Sequence, residues 1–328
     1  MPDLPQPRGP VSEALLAALR EPPHALRGSA ELVDDEDLQL ALYCLYELHY
    51  RGFDGVDDAW EWEPSLLALR ATLERSFETE LQELVGPPGE PPEPAEVDAH
   101  LRELMLADDA PSVSTFIERE ADLEQVREFM VHRSAYQLKE ADPHTWALPR
   151  LSGKPKAAMV EVQADEYGNG RAEDVHAELF ARALDAVGLD STYGAYLDRI
   201  PGVTLATVNL MSFFGLHRRL RGAIVGHLAL FEMTSSVPNR RYAAGLRRLG
   251  QSDDACLFFD VHVVADAVHE SVAAVDLAGG LARQHRALGA DVLWGAKCLL
   301  ALDGRWARHM LRAWEDGSSS LRPELALH

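Results

Sequence analysis

Apolar residues recur at helical spacing along most of this 328-residue chain, and alternating, β-branched runs are scarce. That pattern points to an all-α fold. Leu38, Leu40, Leu42, Leu45 and Leu48 mark one helix over 37–51, and 64–85 reads as another. Between 86 and 94 the chain runs Gly-Pro-Pro-Gly-Glu-Pro-Pro-Glu-Pro. No helix crosses such a run, because proline lacks the amide donor and its ring collides with the preceding turn. It divides the chain into an N-terminal helical arm with its linker, 1–95, and a main domain, 96–328. In the main domain helices are expected near 96–107, 112–140 (interrupted), 172–187, 203–218, 220–234, 239–249, 253–282 and 288–314. Gly188 stands where a glycine ends a helix, and Ser252-Asp253-Asp254 supplies an N-cap with acid where the helix dipole favours it.

Composition narrows the partners. Asp and Glu number 53 against 31 Lys and Arg, a formal charge of −22. A field of that sign repels polyanions, so neither nucleic acid nor an anionic membrane is expected as a partner. The three cysteines, Cys44, Cys256 and Cys298, lie far apart without metal-type spacing, which suits a reducing, cytoplasmic setting. The start shows no basic stretch leading into an apolar one, so no signal peptide is expected. No segment approaches the roughly 18 consecutive apolar residues of a membrane-spanning helix.

The residues richest in chemistry lie in two segments. In Phe-Phe-Asp-Val-His-Val-Val-Ala-Asp-Ala-Val-His-Glu, 258–270, His262, Asp266 and His269 stand at i, i+4 and i+7. At about 100° per residue they share a wedge of about 60° on one helical face. Their neighbours are Phe, Val and Ala, so a lone carboxylate there is costly to desolvate and a metal ion would compensate it. A solvent-facing polar stripe explains this segment equally well on its own.

The second segment, 162–180, carries Glu166, Glu173 and His176. Glu173 and His176 form a Glu-x-x-His pair, the spacing that di-iron carboxylate proteins use to aim two ligands inward. Gly168 and Gly170 make the first part irregular, so Glu166 is expected to enter from an unwound turn. The Gly-x-Gly is no dinucleotide fingerprint, since no strand precedes it and the third glycine is missing. Glu140 and Glu232 add two carboxylates in apolar surroundings, although each alone reads more simply as a surface or capping residue. Together these are five carboxylates and three histidines from four segments. Such a set suits a non-haem di-iron centre, with hard carboxylates to bridge and neutralise two cations and imidazoles to complete each. His132, His144, His217 and His227 lack partnered spacing and read as surface or satisfied core residues. Tyr136, Tyr167, Leu210, Phe213, Phe214 and Phe258 are candidates for a pocket wall, with ordinary core packing as the blander reading.

The order Glu140, Glu166, Glu173, His176, Glu232, His262, Asp266, His269, with its spacing, resembles that of the haem-oxygenase-like di-iron oxidases and oxygenases, often called iron-containing redox enzymes. The resemblance covers about 110–315 and leaves the arm outside its motifs. It implies a haem-oxygenase-like bundle of about seven helices with an N-terminal helical extension. It further implies two Fe2+ ions held by those eight residues, O2 as co-substrate, and a small-molecule substrate that is N-oxygenated, desaturated or cleaved at a C–C bond. A true haem oxygenase and an iron-binding or ferroxidase protein without organic substrate are the alternatives. A homodimer is compatible with the arm, which could equally cover the bundle or meet a carrier protein.

Overall fold

The computed structural model describes residues 1–26 and 34–323, apart from the side chains of 266–268. The chain is all-α: no strand occurs among the described residues, and Tyr167 and Val175 make only an isolated bridge. In chain order the helices are α1 (Pro10–Leu19), α2 (Asp35–Glu47), α3 (Pro64–Val85), α4 (Val97–Ala107), α5 (Val113–Arg119), α6 (Leu123–Gln137) and α7 (Asp142–Thr145). They continue as α8 (Gly153–Glu166), α9 (His176–Ala186), α10 (Gly202–Leu216), α11 (Arg221–Arg248), α12 (Asp253–Ser271), α13 (Gly279–Gln284) and α14 (Leu288–Glu315). A π-helical stretch, Val272–Ala278, joins α12 to α13.

Short polar side chains set the helix starts. The break between α5 and α6 falls where Asp122 and Gln125 form a reciprocal capping box, with bonds of 2.9 and 3.0 Å. Ser252 caps α12, and Gly188, at φ +79°, follows α9. The buried carboxylate of Asp37 accepts the Val11 and Ser12 amides at 2.9 and 2.7 Å, so α2 caps α1.

One expected division is absent. Residues 220–234 and 239–249, read as two helices, form the single 28-residue α11 with Pro238 inside it. Proline removes only the bond to the Thr234 carbonyl, and packing against α12, α14 and α5 holds the rest in line. The expected 253–282 helix is instead α12, the π turn and α13.

Two apolar clusters carry the packing. The first joins Leu15, Leu42, Trp60 and Phe77 of the N-terminal segments to Phe213 and Phe214 of α10 and Trp294 of α14. The arm therefore contributes to the main core, with α2 lying on α10. The second gathers Phe129, Phe180, Phe258, Phe259 and Trp306 from α6, α9, α12 and α14.

Helices α11 and α14 cross at glycines. A Cβ on Gly226 would lie 1.8 Å from the Val292 carbonyl oxygen, and one on Gly295 would lie 2.1 Å from that of Ala223. Backbone touches backbone there, so nothing flexible can yield. Replacing Gly226 by Ala should cost about 3 kcal/mol in urea unfolding, because the helices must part. Gly89→Ala, in open space, should leave stability unchanged.

His132 of α6 ties the far end of the chain to the bundle. Its ring nitrogens meet Thr204 Oγ1 at 2.7 Å and Ser320 Oγ at 3.1 Å. Burial, aided by His309 and Arg133, lowers its pKa from 6.5 to about 3. A depressed folded pKa means that the stability is present above the unfolded value and drains away as pH falls below it. Between pH 7 and pH 5 the wild-type chain should lose about 2 kcal/mol more than His132→Gln, which stays neutral throughout. Urea titrations at both pH values check this.

Candidate metal centre

Five elements deliver polar side chains to the seam between the two apolar clusters. Glu140 comes from the turn after α6, Glu166 from the last residue of α8, His176 from the first residue of α9, Glu232 from α11, and His262 and His269 from α12. All six are buried, at 2–7% exposure. Ligand atoms of Glu140, Glu166, His176 and His262 lie within 4.8 Å of one another, and so do those of Glu166, Glu232 and His269. Glu166 belongs to both groups.

The contacts inside these groups are ionic in distance and poor in hydrogen bonding. Glu166 Oε2 lies 2.9 Å from His176 Nδ1, Glu140 Oε1 lies 3.5 Å from His262 Nε2, and Glu232 Oε2 lies 3.3 Å from His269 Nδ1. Among the described residues, Glu232 Oε2 and His269 Nδ1 have no partner with hydrogen-bond geometry, and neither has Glu140 Oε2. Buried polar atoms almost always find hydrogen bonds, so convergent carboxylate oxygens and imidazole nitrogens that lack them suit a shared cation. Burial pushes the Glu140 and Glu232 carboxyls above the usual range, partly offset by His262 and His269 respectively. Burial disfavours the His269 cation, but the carboxylates of Glu232, Asp165 and Glu166 outweigh it and raise its pKa.

Imidazole orientation is fixed from behind. His262 Nδ1 lies 2.8 Å from the Phe258 carbonyl, which can only accept, so Nδ1 carries the proton and Nε2 faces Glu140 as a lone-pair donor. The Phe258 ring packs on the same imidazole at 4.3 Å between centroids, and the His176 ring lies 4.4 Å away on another side. Carboxylate oxygen and imidazole nitrogen in this ratio suit iron or another divalent transition metal better than calcium or magnesium, which prefer oxygen alone.

The space beside these groups is lined by Tyr136, Gln163 and Phe231 and measures about 10 Å³, room for an ion or one water. Of the expected wall residues only Tyr136 and Phe258 reach the centre. Leu210, Phe213 and Phe214 belong to the first core cluster, and Tyr167 is 36% exposed, bonded to Asp142 and Thr145.

One of the eight expected ligands stands apart, and the side chain of another falls outside the described residues. Glu173 lies on a 3₁₀ turn with its side chain 69% exposed beside Arg171, and joins neither group. The helix expected from 172 does not form there. Gly168, Asn169 and Gly170 all take positive φ, and Val175 is extended at ψ 126° between Glu173 and His176, so the Glu-x-x-His spacing never becomes one helical turn. Glu166, expected from an unwound turn, ends a regular helix. The Asp266 side chain lies outside the described residues, although its backbone is part of α12.

A buried pair that sequence spacing does not announce lies next to the centre. His144 Nε2 and His227 Nδ1 are 3.1 Å apart, from α7 and α11. Burial holds His144 down to about 3, and burial with His144 beside it lowers His227 well below its ordinary value. Both are neutral, each satisfying the other. Only the meeting of two helices 83 residues apart reveals them.

The sequence profile of the family described as iron-containing redox enzyme matches residues 127–304. A relative, the nitrosourea synthase of Streptomyces achromogenes subsp. streptozoticus, is 28% identical over 194 residues, which is 58% of this chain and 41% of that protein. The match thus spans well under half of the relative's length. Both Glu140 and its neighbour Lys139 fall inside the family match, whereas the partner of Lys139 does not. Lys139 Nζ lies 2.9 Å from Glu47 Oε2 on α2, both side chains at most 1% exposed. The Tyr193 hydroxyl donates to the same oxygen at 2.7 Å, and the rings of Tyr43 and Tyr50 flank the ammonium at 4.8 and 4.4 Å. This cage anchors the turn that carries Glu140. Lys139→Met or Glu47→Gln alone strands a buried charge and should cost about 3–5 kcal/mol. The double variant should recover much of that loss, measured as a double-mutant cycle in urea.

Proposed function

The chain belongs to the iron-containing redox enzyme family, an oxidoreductase of all-α fold, and we propose that it is a non-haem di-iron oxygenase or oxidase that uses O2 on a small organic substrate. One observation carries the reading: two groups of buried carboxylates and imidazoles share Glu166. Glu140, Glu166, His176 and His262 would hold one iron. Glu166, Glu232 and His269 would hold the second, with Asp266, which stands on the α12 face of His262 and His269 by helical spacing. Glu166, common to both groups, would then serve both ions. Bound ferrous iron supplies the reducing equivalents for O2 activation.

The protein's own contribution is orientation and exclusion. The Phe258 carbonyl fixes the donor nitrogen of His262. Phe258, Phe231 and Leu228 keep water from the carboxylates, strengthening their hold on a cation. The neutral His144–His227 pair adds no positive charge to compete with one.

Geometry favours this reading over its rivals. A porphyrin finds no room in about 10 Å³ between donors that nearly touch. A ferroxidase has no use for the cavity of about 230 Å³ that opens from Glu140 and His262. The relative's name speaks of nitrosourea formation, which makes oxidation at nitrogen one chemistry worth assaying here.

Anaerobic Fe(II) titration with metal counting tests the proposal. Wild type should bind two irons and, on mixing with O2, show a transient visible absorption. Glu166→Ala should lose both irons, Glu232→Ala should keep one, and Glu173→Ala should keep two. Stoichiometric haem binding without Fe(II) uptake would sink the proposal.

A further inference from the structure

The cavity beginning at Glu140 and His262 runs between α5, α6, α11 and α14. Beside the acids Glu140 and Asp108, its walls carry two opposite charges, Arg133 from α6 and Asp303 from α14. Among the described residues neither forms an ion pair, with the other or with anything else, although both are partly buried. Arg133 is held by stacking, its guanidinium 4.1 Å from the centroid of Trp306. The Tyr242 hydroxyl takes one of its hydrogen bonds, and the stacked plane leaves the remaining in-plane donors for a carboxylate. Burial, the largest effect on Asp303, lifts its carboxyl above the ordinary value, and Arg133 pulls the other way. A third group is unsatisfied: Gln137, 8% exposed and on the same wall, has an amide oxygen with no hydrogen-bond partner.

Two opposite charges and an idle acceptor around one cavity are costly unless a ligand completes them. The simplest ligand that satisfies all three carries both charges itself. We propose that this cavity binds a zwitterion of the amino-acid type, its carboxylate on Arg133 and its ammonium on Asp303 and the Gln137 amide oxygen. Its side chain then points toward Glu140 and His262. That the side chain is the part oxidised rests on the di-iron reading above; the binding itself does not. Arg133 and Asp303 are thus the residues that set specificity, and neither belongs to either ligand group.

Calorimetry on the full-length protein, anaerobic and Fe(II)-loaded, would use the twenty standard L-amino acids. For each binder the panel adds its decarboxylated amine and its deaminated acid. At least one amino acid should bind, and both of its analogues should bind at least tenfold more weakly. Arg133→Gln should weaken the amino acid at least tenfold and leave the amine analogue unchanged. Asp303→Asn should do the same while leaving the acid analogue unchanged. Iron content and melting temperature of both variants should match wild type, which separates lost recognition from lost folding. The proposal is overturned if no amino acid binds, if either analogue binds as well as its parent, or if the variants do not discriminate. A protein that binds the amino acid but takes up no iron would refute the di-iron reading and leave this one standing.

Discussion

Three glutamates, Glu140, Glu166 and Glu232, converge at 5–7% exposure beside Tyr136, Leu228 and Phe231. Removing a carboxylate from water costs several kcal/mol, and carboxylates placed together add their repulsion to that cost. Among the described residues, ion pairs set imidazoles opposite the three acids. Imidazoles neutralise by taking protons, and equally well by sharing a cation. The fold is consequently organised so that five chain segments end or pass at one place, four offering one side chain and α12 offering two.

Charge is treated differently one residue away. Lys139 and Glu140 are adjacent and both buried, yet Lys139 turns to a fixed anion on α2 and Glu140 turns to the shared site. The first pair is closed, with every strong contact supplied by protein. The second is open, its oxygen and nitrogen 3.5 Å apart and the other Glu140 oxygen without a hydrogen-bond partner among the described residues. That contrast within a single turn separates structural from functional charge better than burial alone, which is nearly equal for both.

What was legible in the sequence follows the reach of helical periodicity. His262 and His269 share a face because α12 is regular up to Ser271, and the angular arithmetic needs nothing more. Glu140, Glu166, His176 and Glu232 could be singled out by type and setting, although not arranged. Glu173 misleads because three consecutive positive-φ residues intervene between α8 and α9, and local spacing cannot sense the turn they impose. Pro238 misleads in the opposite sense, since packing on three neighbours outweighs one missing hydrogen bond. The His144–His227 and Lys139–Glu47 pairs join segments 83 and 92 residues apart, beyond any periodicity, and Arg133 and Asp303 carry no signal at all until α6 and α14 flank one cavity.

The glycine crossing of α11 and α14 has a mechanical meaning. Gly226 and Gly295 act as a rivet, and beyond it the same two helices form opposing walls of the cavity, from Phe231 to Tyr242 and from Leu299 to Ala307. Changes of side-chain bulk on the distal walls can alter the aperture while the rivet keeps the helix axes in place. Glu232 stands at the near end of that wall on α11, and the other candidate donors stand on neighbouring elements, so they would not notice. A bundle built this way can exchange its substrate without disturbing its centre, because the distal wall and most of the donors occupy different helices.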